Sequence, residues 1–184
     1  MPFSFTPLPG LPGPLLVQPR IFRDERGWFL ESWKKSDFDA QGIGPFLQDN
    51  HSGNLRAGTV RGLHFQLAPQ AQGKLVRCVR GRVWDVAVDL RPGPTFLRHA
   101  AVELSAAEFA QLWIPPGFAH GYCTLTDDSE VAYKTTAEYA PALERTLRWD
   151  DPDLAIPWPV LKAHLSPRDA SAPGVAQSAL PLVA

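Results

Sequence analysis

Cysteine is scarce in this chain: Cys78 and Cys123 are the only two, both inside apolar runs and without Cys-x-x-Cys spacing. That excludes a disulfide-stapled scaffold or a cysteine-rich zinc module and reads as two reduced thiols in a core. An excess of one charge is missing too. The 18 lysines and arginines stand against 19 aspartates and glutamates, for a formal net charge of −1, and no basic run is present. An extended nucleic-acid surface is therefore not expected, and an anionic ligand has to be held by a local cluster. No stretch approaches the roughly 18 consecutive apolar residues of a membrane span. Met1 to Gly13 is rich in proline and glycine and lacks the charged-then-apolar order of a leader. The expectation is a soluble, cytoplasmic protein with neither nucleic-acid nor membrane partners. Also absent are the Gly-x-x-x-x-Gly-Lys loop, the Gly-x-Gly-x-x-Gly turn and the Gly-x-Ser-x-Gly elbow. Their absence argues against nucleotide hydrolysis, a dinucleotide cofactor and a serine hydrolase.

Proline, in contrast, is plentiful, and at positions 7, 9, 12, 14 and 19 it favours an extended, sheet-edge or loop path over a helix from Phe3 to Pro19, with residues 1–17 read as a proline-rich N-terminal segment. The body that follows is a series of short β-branched or aromatic runs separated by turn residues. These are Gly27 to Trp33, Phe46 to Asn50, Gly58 to Gln66, Lys74 to Val79, Arg82 to Leu90, Leu97 to Leu104, Gln111 to Ile114, Gly121 to Leu125 and Ser129 to Tyr139. Such spacing predicts an all-β sandwich or barrel. Two short helices are expected, at Lys35 to Ala40 with Ser36 as cap, and at Ser105 to Ala110, where Ser105 and Glu108 suggest a capping box. From Asp151 the chain is again interrupted by proline, and residues 151–184 are expected to wrap the sheet rather than extend it. With 184 residues, 45% of them hydrophobic, the chain suffices for one sizeable core, so residues 1–184 are read as a single domain.

Within this framework Arg61-Gly62-Leu63-His64-Phe65-Gln66 stands out, because it sets an ionisable histidine in an apolar strand. Alternation points Gly62, His64 and Gln66 to one face and Leu63 and Phe65 to the other. Parity likewise groups Gln48 with Asn50, Lys74 with Val76 and Cys78, and Tyr133 with Thr135 and Tyr139. Polar residues recurring among apolar neighbours predict an interior pocket. Arg61 falls on the face opposite His64 unless a bulge near Gly62 re-aims it.

The Pro115-Pro116-Gly117-Phe118-Ala119-His120-Gly121 turn delivers a second histidine into a strand, as in the second box of cupin jelly rolls. The first box should supply His-x-His, yet His64 is followed by Phe65 and Gln66. No metal site is expected from that donor set. What remains is acid–base chemistry, for which histidine is suited near neutral pH when a carboxylate fixes its tautomer. Asp85, Asp89 and Asp169 all qualify by type.

Several collinear blocks carry a more specific resemblance. They include Asp24-Glu25-Arg26-Gly27-Trp28-Phe29-Leu30-Glu31, Gln48-Asp49-Asn50-His51-Ser52, Arg61 to Gln66, Gln72-Gly73-Lys74-Leu75-Val76, Trp84 to Arg91, Trp113 to Gly121, Tyr133-Lys134-Thr135 and Leu165-Ser166-Pro167-Arg168-Asp169. In order and spacing, residues 18–174 resemble the dTDP-4-dehydrorhamnose 3,5-epimerase family. The resemblance implies a cupin-like jelly roll, or double-stranded β-helix, with a few short helices. It also implies a homodimer whose N-terminal strands cross to the partner, and no cofactor. The implied substrate is a dTDP-linked 4-keto-6-deoxy sugar, epimerised at C3 and C5.

Carried over by position, the base falls on His64, its orienting carboxylate on Asp169, the acid on Tyr133 and the charge stabiliser near the C4 oxygen on Lys74. His120 is implied as a second pocket histidine. Arg61, Gln48 and Asn50 match residues that hold sugar and diphosphate. Phe22, Arg26, Glu31 and Tyr139 match the nucleotide end, some from the other subunit. The chain departs from the family pattern at Asn50-His51-Ser52-Gly53-Asn54 and at Gly93 to Leu97, where altered turns and unaltered chemistry are expected. Two rival readings are a single-centre epimerase of a related sugar and a sugar-nucleotide-binding cupin without turnover.

Overall fold

The computed structural model describes residues 2–178 and Leu180. In chain order the strands are β1 (Phe3–Pro7), β2 (Leu15–Pro19), β3 (Ile21–Asp24) and β4 (Gly27–Leu30), followed by helix α1 (Lys35–Asp39). Then come β5 (Gln48–Asn54), β6 (Val60–Gln66), β7 (Lys74–Arg80), β8 (Arg82–Asp89), β9 (His99–Ser105), β10 (Gln111–Ile114), β11 (Phe118–Thr124), β12 (Ser129–Thr135) and β13 (Glu144–Thr146). Helix α2 (Pro167–Ala170) and a 3₁₀ turn at Val175–Gln177 complete the described chain. Six strands form one sheet in the order β1-β2-β10-β7-β12-β5, five form a second in the order β13-β6-β11-β8-β9, and among the described residues β3 and β4 pair only with each other. All strand pairings are antiparallel. The architecture is the all-β jelly roll expected from the short strands and turns.

The core lies in three layers, and alternation explains each. Between the sheets pack Val76 and Cys78 of β7, Val83 and Ala87 of β8, Leu112 and Ile114 of β10, Phe118 and Tyr122 of β11 and Val131 of β12. Residues of opposite parity on the five-stranded sheet, Leu63, Phe65, Val86, Val88 and Ala119, turn outward and are covered by Leu147, Leu154, Ile156, Trp158, Val175 and Leu180. The C-terminal segment thus wraps that sheet. Its only bridge to strand-like backbone among the described residues joins Thr59 and His164. On the outer face of the other sheet, Val17, Leu75 and Trp113 meet Phe38 of α1 and Ile43. Fully burying a side chain of this size is worth about 1.5–3 kcal/mol.

In the proline-rich start, Pro7 and Pro19 end β1 and β2, and Pro9, Pro12 and Pro14 lie in the connection between them. β1 is the edge strand of the six-stranded sheet, with β2 next to it, so Pro7 falls where a sheet tolerates proline. Two helix expectations need correction. Helix α1 forms, but Lys34 occupies its N-cap without a side-chain bond, and Ser36 lies inside it. Ser105 to Ala110 is one turn only. The Ser105 hydroxyl accepts from Ala107 N–H at 3.2 Å, and Phe109 at φ 61° stops a second turn. α2 was missed, although Ser166 followed by Asp169 carries a start signature, with Ser166 Oγ accepting from the Asp169 N–H at 3.1 Å.

Candidate active site

The interior layer is apolar at one end and polar at the other, where a cavity of about 200 Å³ opens. Gln48 and Asn50 from β5, His64 and Gln66 from β6, Lys74 from β7 and Tyr133 from β12 line it, with Gln72, Tyr139 and Glu144. The shared parity of these residues is borne out by the geometry. His64 stands on the five-stranded sheet while Tyr133 and Lys74 stand on the other, so the cavity has a histidine wall facing a phenol-and-amine wall.

Of the three candidate carboxylates, Asp169 bonds His64: its Oδ1 lies 2.6 Å from Nε2. α2 holds Asp169 there, its Oδ2 accepting from the Ser166 hydroxyl at 3.0 Å. Burial pushes the Asp169 carboxyl up, but the His64 bond and charge and the Ser166 bond outweigh it, and the group sits below its ordinary value. The ring's other nitrogen, Nδ1, has no partner among the described residues. Asp85 instead pairs with His120 at 2.9 Å, both buried. Asp89 accepts from Arg91 and Thr95, each at 2.8 Å. His120 faces His64 directly across the β11–β6 ladder. Burial pulls the His120 imidazole below its usual range against the opposing effect of Asp85.

Lys74 is 7% exposed, and its Nζ donates to the His64 carbonyl at 3.2 Å. Burial lowers its pKa to about 8, while Glu144 and Asp85 pull it back up. Burial raises the Tyr133 phenol above its ordinary value, so it stays protonated at neutral pH. Gln48 donates to Asn50 at 2.8 Å, and its Oε1 accepts from the Tyr139 N–H at 2.8 Å, tying the mouth to the wall.

Arg61 turns to the inner side of its sheet, although it stays exposed and does not line the His64 cavity. The β11–β6 register slips between His120, opposite His64, and Tyr122, opposite Arg61. The bulge is centred on Gly62 at φ 131°. A Cβ there would sit 2.6 Å from Gly121 Cα, so only glycine allows the approach. Arg61 consequently bonds Asn54 on the inner side of β5, at 2.8 Å.

Three expected ligand-holding residues lie elsewhere, and two more, Arg61 and His120, are also not among the residues that line the His64 cavity. Phe22 and Arg26 line a separate hollow on the β3–β4 hairpin with Trp28 and Phe29, and Glu31 follows that hairpin. None of the three lines the His64 cavity of its own chain. Gln66, Gln72 and Glu144 do line it and were not named as candidates. The first two share parity with His64 and Lys74. Glu144 owes its place to β13, too short to stand out in the sequence. Its carboxylate accepts from Tyr139 at 2.7 Å and Arg168 at 2.6 Å. Among the described residues, no group of three or more His, Cys, Asp or Glu is placed to hold a metal ion.

A jelly roll with a histidine–carboxylate pair on one wall of a cavity, and an amine and a phenol on the other, is the frame of an acid–base enzyme. The family model for dTDP-4-dehydrorhamnose 3,5-epimerase matches residues 9–177. The chain belongs to that family. It is 49% identical over 163 residues to the dTDP-4-dehydrorhamnose 3,5-epimerase of Shigella flexneri, spanning 86% of this chain and 89% of that protein. The crystal structure of the epimerase from Legionella pneumophila in complex with dTDP-4-keto-L-rhamnose superposes with a TM-score of 0.90 at 40% identity, covering 95% of this chain and 94% of that one. A 3'-monoepimerase from Streptomyces bikiniensis, in complex with dTDP-quinovose, is more distant, at TM-score 0.83 and 36% identity over 89% of this chain and 84% of that one.

Proposed function

We propose that this chain is a dTDP-4-dehydrorhamnose 3,5-epimerase, converting dTDP-4-dehydro-6-deoxy-D-glucose to dTDP-4-dehydro-L-rhamnose. The observation that carries the reading is the opposition of His64 and Tyr133 on facing sheets of one cavity that also contains Lys74. A hydrogen beside the C4 ketone becomes acidic only because the carbanion delocalises onto the C4 oxygen. His64, steadied by Asp169, removes it. Lys74, cationic below about pH 8, meets the developing oxyanion. Inversion requires the returning proton to arrive from the opposite side, and Tyr133 donates it. Each centre loses one proton and gains one, so no electron acceptor enters the balance.

Arg61 engages the diphosphate, Gln48, Asn50 and His120 hold the sugar, and Tyr139 contributes at the nucleotide end. Phe22, Arg26 and Glu31 serve the cavity of a second copy, in a homodimer. This is supported by a hairpin whose strands pair only with each other and whose Phe22, Trp28 and Phe29 are exposed. The two free, buried cysteines suit a cytoplasmic setting.

The test is incubation with dTDP-4-dehydro-6-deoxy-D-glucose in D₂O, followed by NMR. Deuterium at both C3 and C5, with inversion, is expected. Exchange at one carbon alone would move the chain to the single-centre epimerases, and no exchange would leave a binding protein.

A further inference from the structure

Asn54 is one of the few fully buried polar side chains near the site, at 4% exposure, and the reaction scheme gives it no role. It ends β5 opposite Ser129 of β12. Its Nδ2 donates to the Ser129 carbonyl at 3.0 Å. That bond dictates which end of the amide faces Arg61: it is the oxygen, which accepts from Arg61 Nε at 2.8 Å. A second anchor comes from the Gly53 carbonyl, which accepts from Arg61 Nη2 at 3.1 Å. Tyr122 closes the cluster, its hydroxyl 3.4 Å from Asn54 Oδ1 and 2.8 Å from Ser52 Oγ.

The consequence concerns Arg61. A guanidinium carries five N–H donors in a planar fork on a flexible stem. Here one edge is fixed by two neutral acceptors, while the Nη1 side keeps no partner among the described residues. A neutral acceptor orients the group without cancelling its charge, which an aspartate in the same place would do. Fixing the fork before a ligand arrives removes an ordering cost from binding.

We infer that Asn54 is a positioning residue that presets Arg61 to grip the diphosphate of the nucleotide sugar. The inference rests on the assignment of Arg61 to the diphosphate given above. It makes Asn54 a determinant of affinity for the diphosphate rather than of the chemical step.

The experiment measures dTDP and thymidine affinity by calorimetry, together with steady-state kinetics, for the full-length protein and for Asn54→Ala, Asn54→Ser, Arg61→Ala and the double variant Asn54→Ala/Arg61→Ala. Losing one charge-assisted anchor is expected to weaken dTDP about tenfold. KM should rise by a similar factor while kcat falls less, as for an interaction made equally in ground and transition states. Thymidine, which has no diphosphate, should change by less than about twofold. In the Arg61→Ala background the Asn54 substitution should have no further effect.

Asn54→Ser keeps a hydroxyl at a buried position but is too short to reach Nε. It is expected to act in the same direction, and it serves if the alanine variant does not fold. Equal weakening of dTDP and thymidine, or an undiminished Asn54 effect without Arg61, would overturn the inference and make Asn54 a support of the fold alone. A separate outcome bears on the foundation: if Arg61→Ala leaves dTDP affinity unchanged, the diphosphate assignment fails and the inference falls with it.

Discussion

At the scale of single residues the decisive features are a histidine oriented by a carboxylate and a buried lysine. For His64 the orienting bond to Asp169 sets which ring nitrogen is free. His64→Ala should lower turnover by about 10²–10⁴-fold, the usual worth of a positioned base. Tyr133→Phe should spare proton removal and impair reprotonation, seen as substrate exchange outrunning product formation in D₂O. Lys74 makes a sharper case, because activity and stability move in opposite directions. Its folded pKa of about 8 lies below the ordinary 10.5. Below about pH 8 the lysine is charged in both states, and the fold bears the full cost of burying it. Between about 8 and 10.5 the unfolded chain binds the extra proton, so stability rises with pH. The gap is on the order of 3 kcal/mol at 1.36 kcal/mol per unit. Lys74→Met should therefore unfold at higher denaturant at pH 7, lack this alkaline rise and be nearly inactive. Wild-type activity that depends on the cation should fall as pH climbs through about 8. A methionine variant no more stable than wild type at pH 7 would contradict the burial argument.

At the scale of elements, the strands were legible in the sequence because alternation registers burial on one face, and this gave the two facing walls, His64 on one sheet and Gln48, Asn50, Lys74 and Tyr133 on the other. Alternation fails where the backbone departs from a regular ladder. Simple alternation puts Arg61 on the face opposite His64, and a bulge near Gly62 could be raised from the sequence but not shown by it, because a bulge has no signature beyond a glycine. Residue type and alternation left the carboxylate partner of His64 open among Asp85, Asp89 and Asp169, and only the family resemblance pointed to Asp169. Residues 64 and 169 meet only because the C-terminal segment returns to place α2 beside β6, and periodicity carries no information about such returns. The bulge itself is testable. A methyl at Gly62 would meet Gly121 Cα at 2.6 Å and the His120 carbonyl at 2.8 Å, and one at Gly121 would meet the Arg61 carbonyl at 2.9 Å. Gly62→Ala carries the further strain of a positive φ. It is expected to cost about 1–3 kcal/mol, with a melting temperature lower by about 2–4 °C per kcal/mol. Because Arg61 and His64 flank the bulge, KM should rise and kcat fall together. Unchanged melting and kinetics would mean that the ladder can be repaired without turning Arg61 outward.

At the scale of the whole molecule, the residues proposed to react and some of those proposed to hold the ligand lie in separate hollows of one chain. Phe22 and Arg26 lie on a hairpin with its own hollow, away from the cavity that holds His64. A hairpin with exposed aromatic rings and no strand partner beyond itself gains little from folding alone, whereas packing it on a second copy buries those rings. If Arg26 serves the partner's cavity, each site is a composite of a base from one chain and a hairpin from the other. Mixing two defective proteins then becomes informative. His64→Ala and Arg26→Ala homodimers should each be strongly impaired. After unfolding and refolding together, half of the dimers are hybrids, and each hybrid pairs a native base with a native hairpin at one of its two sites. Activity should return to about a quarter of the wild-type value, as random pairing of two-fold dimers requires. If Arg26 instead serves its own chain, every site in the mixture carries one defect, and refolding together restores nothing. Sedimentation of the wild-type chain provides the control, since a monomer at the assay concentration would remove the basis for any exchange between subunits.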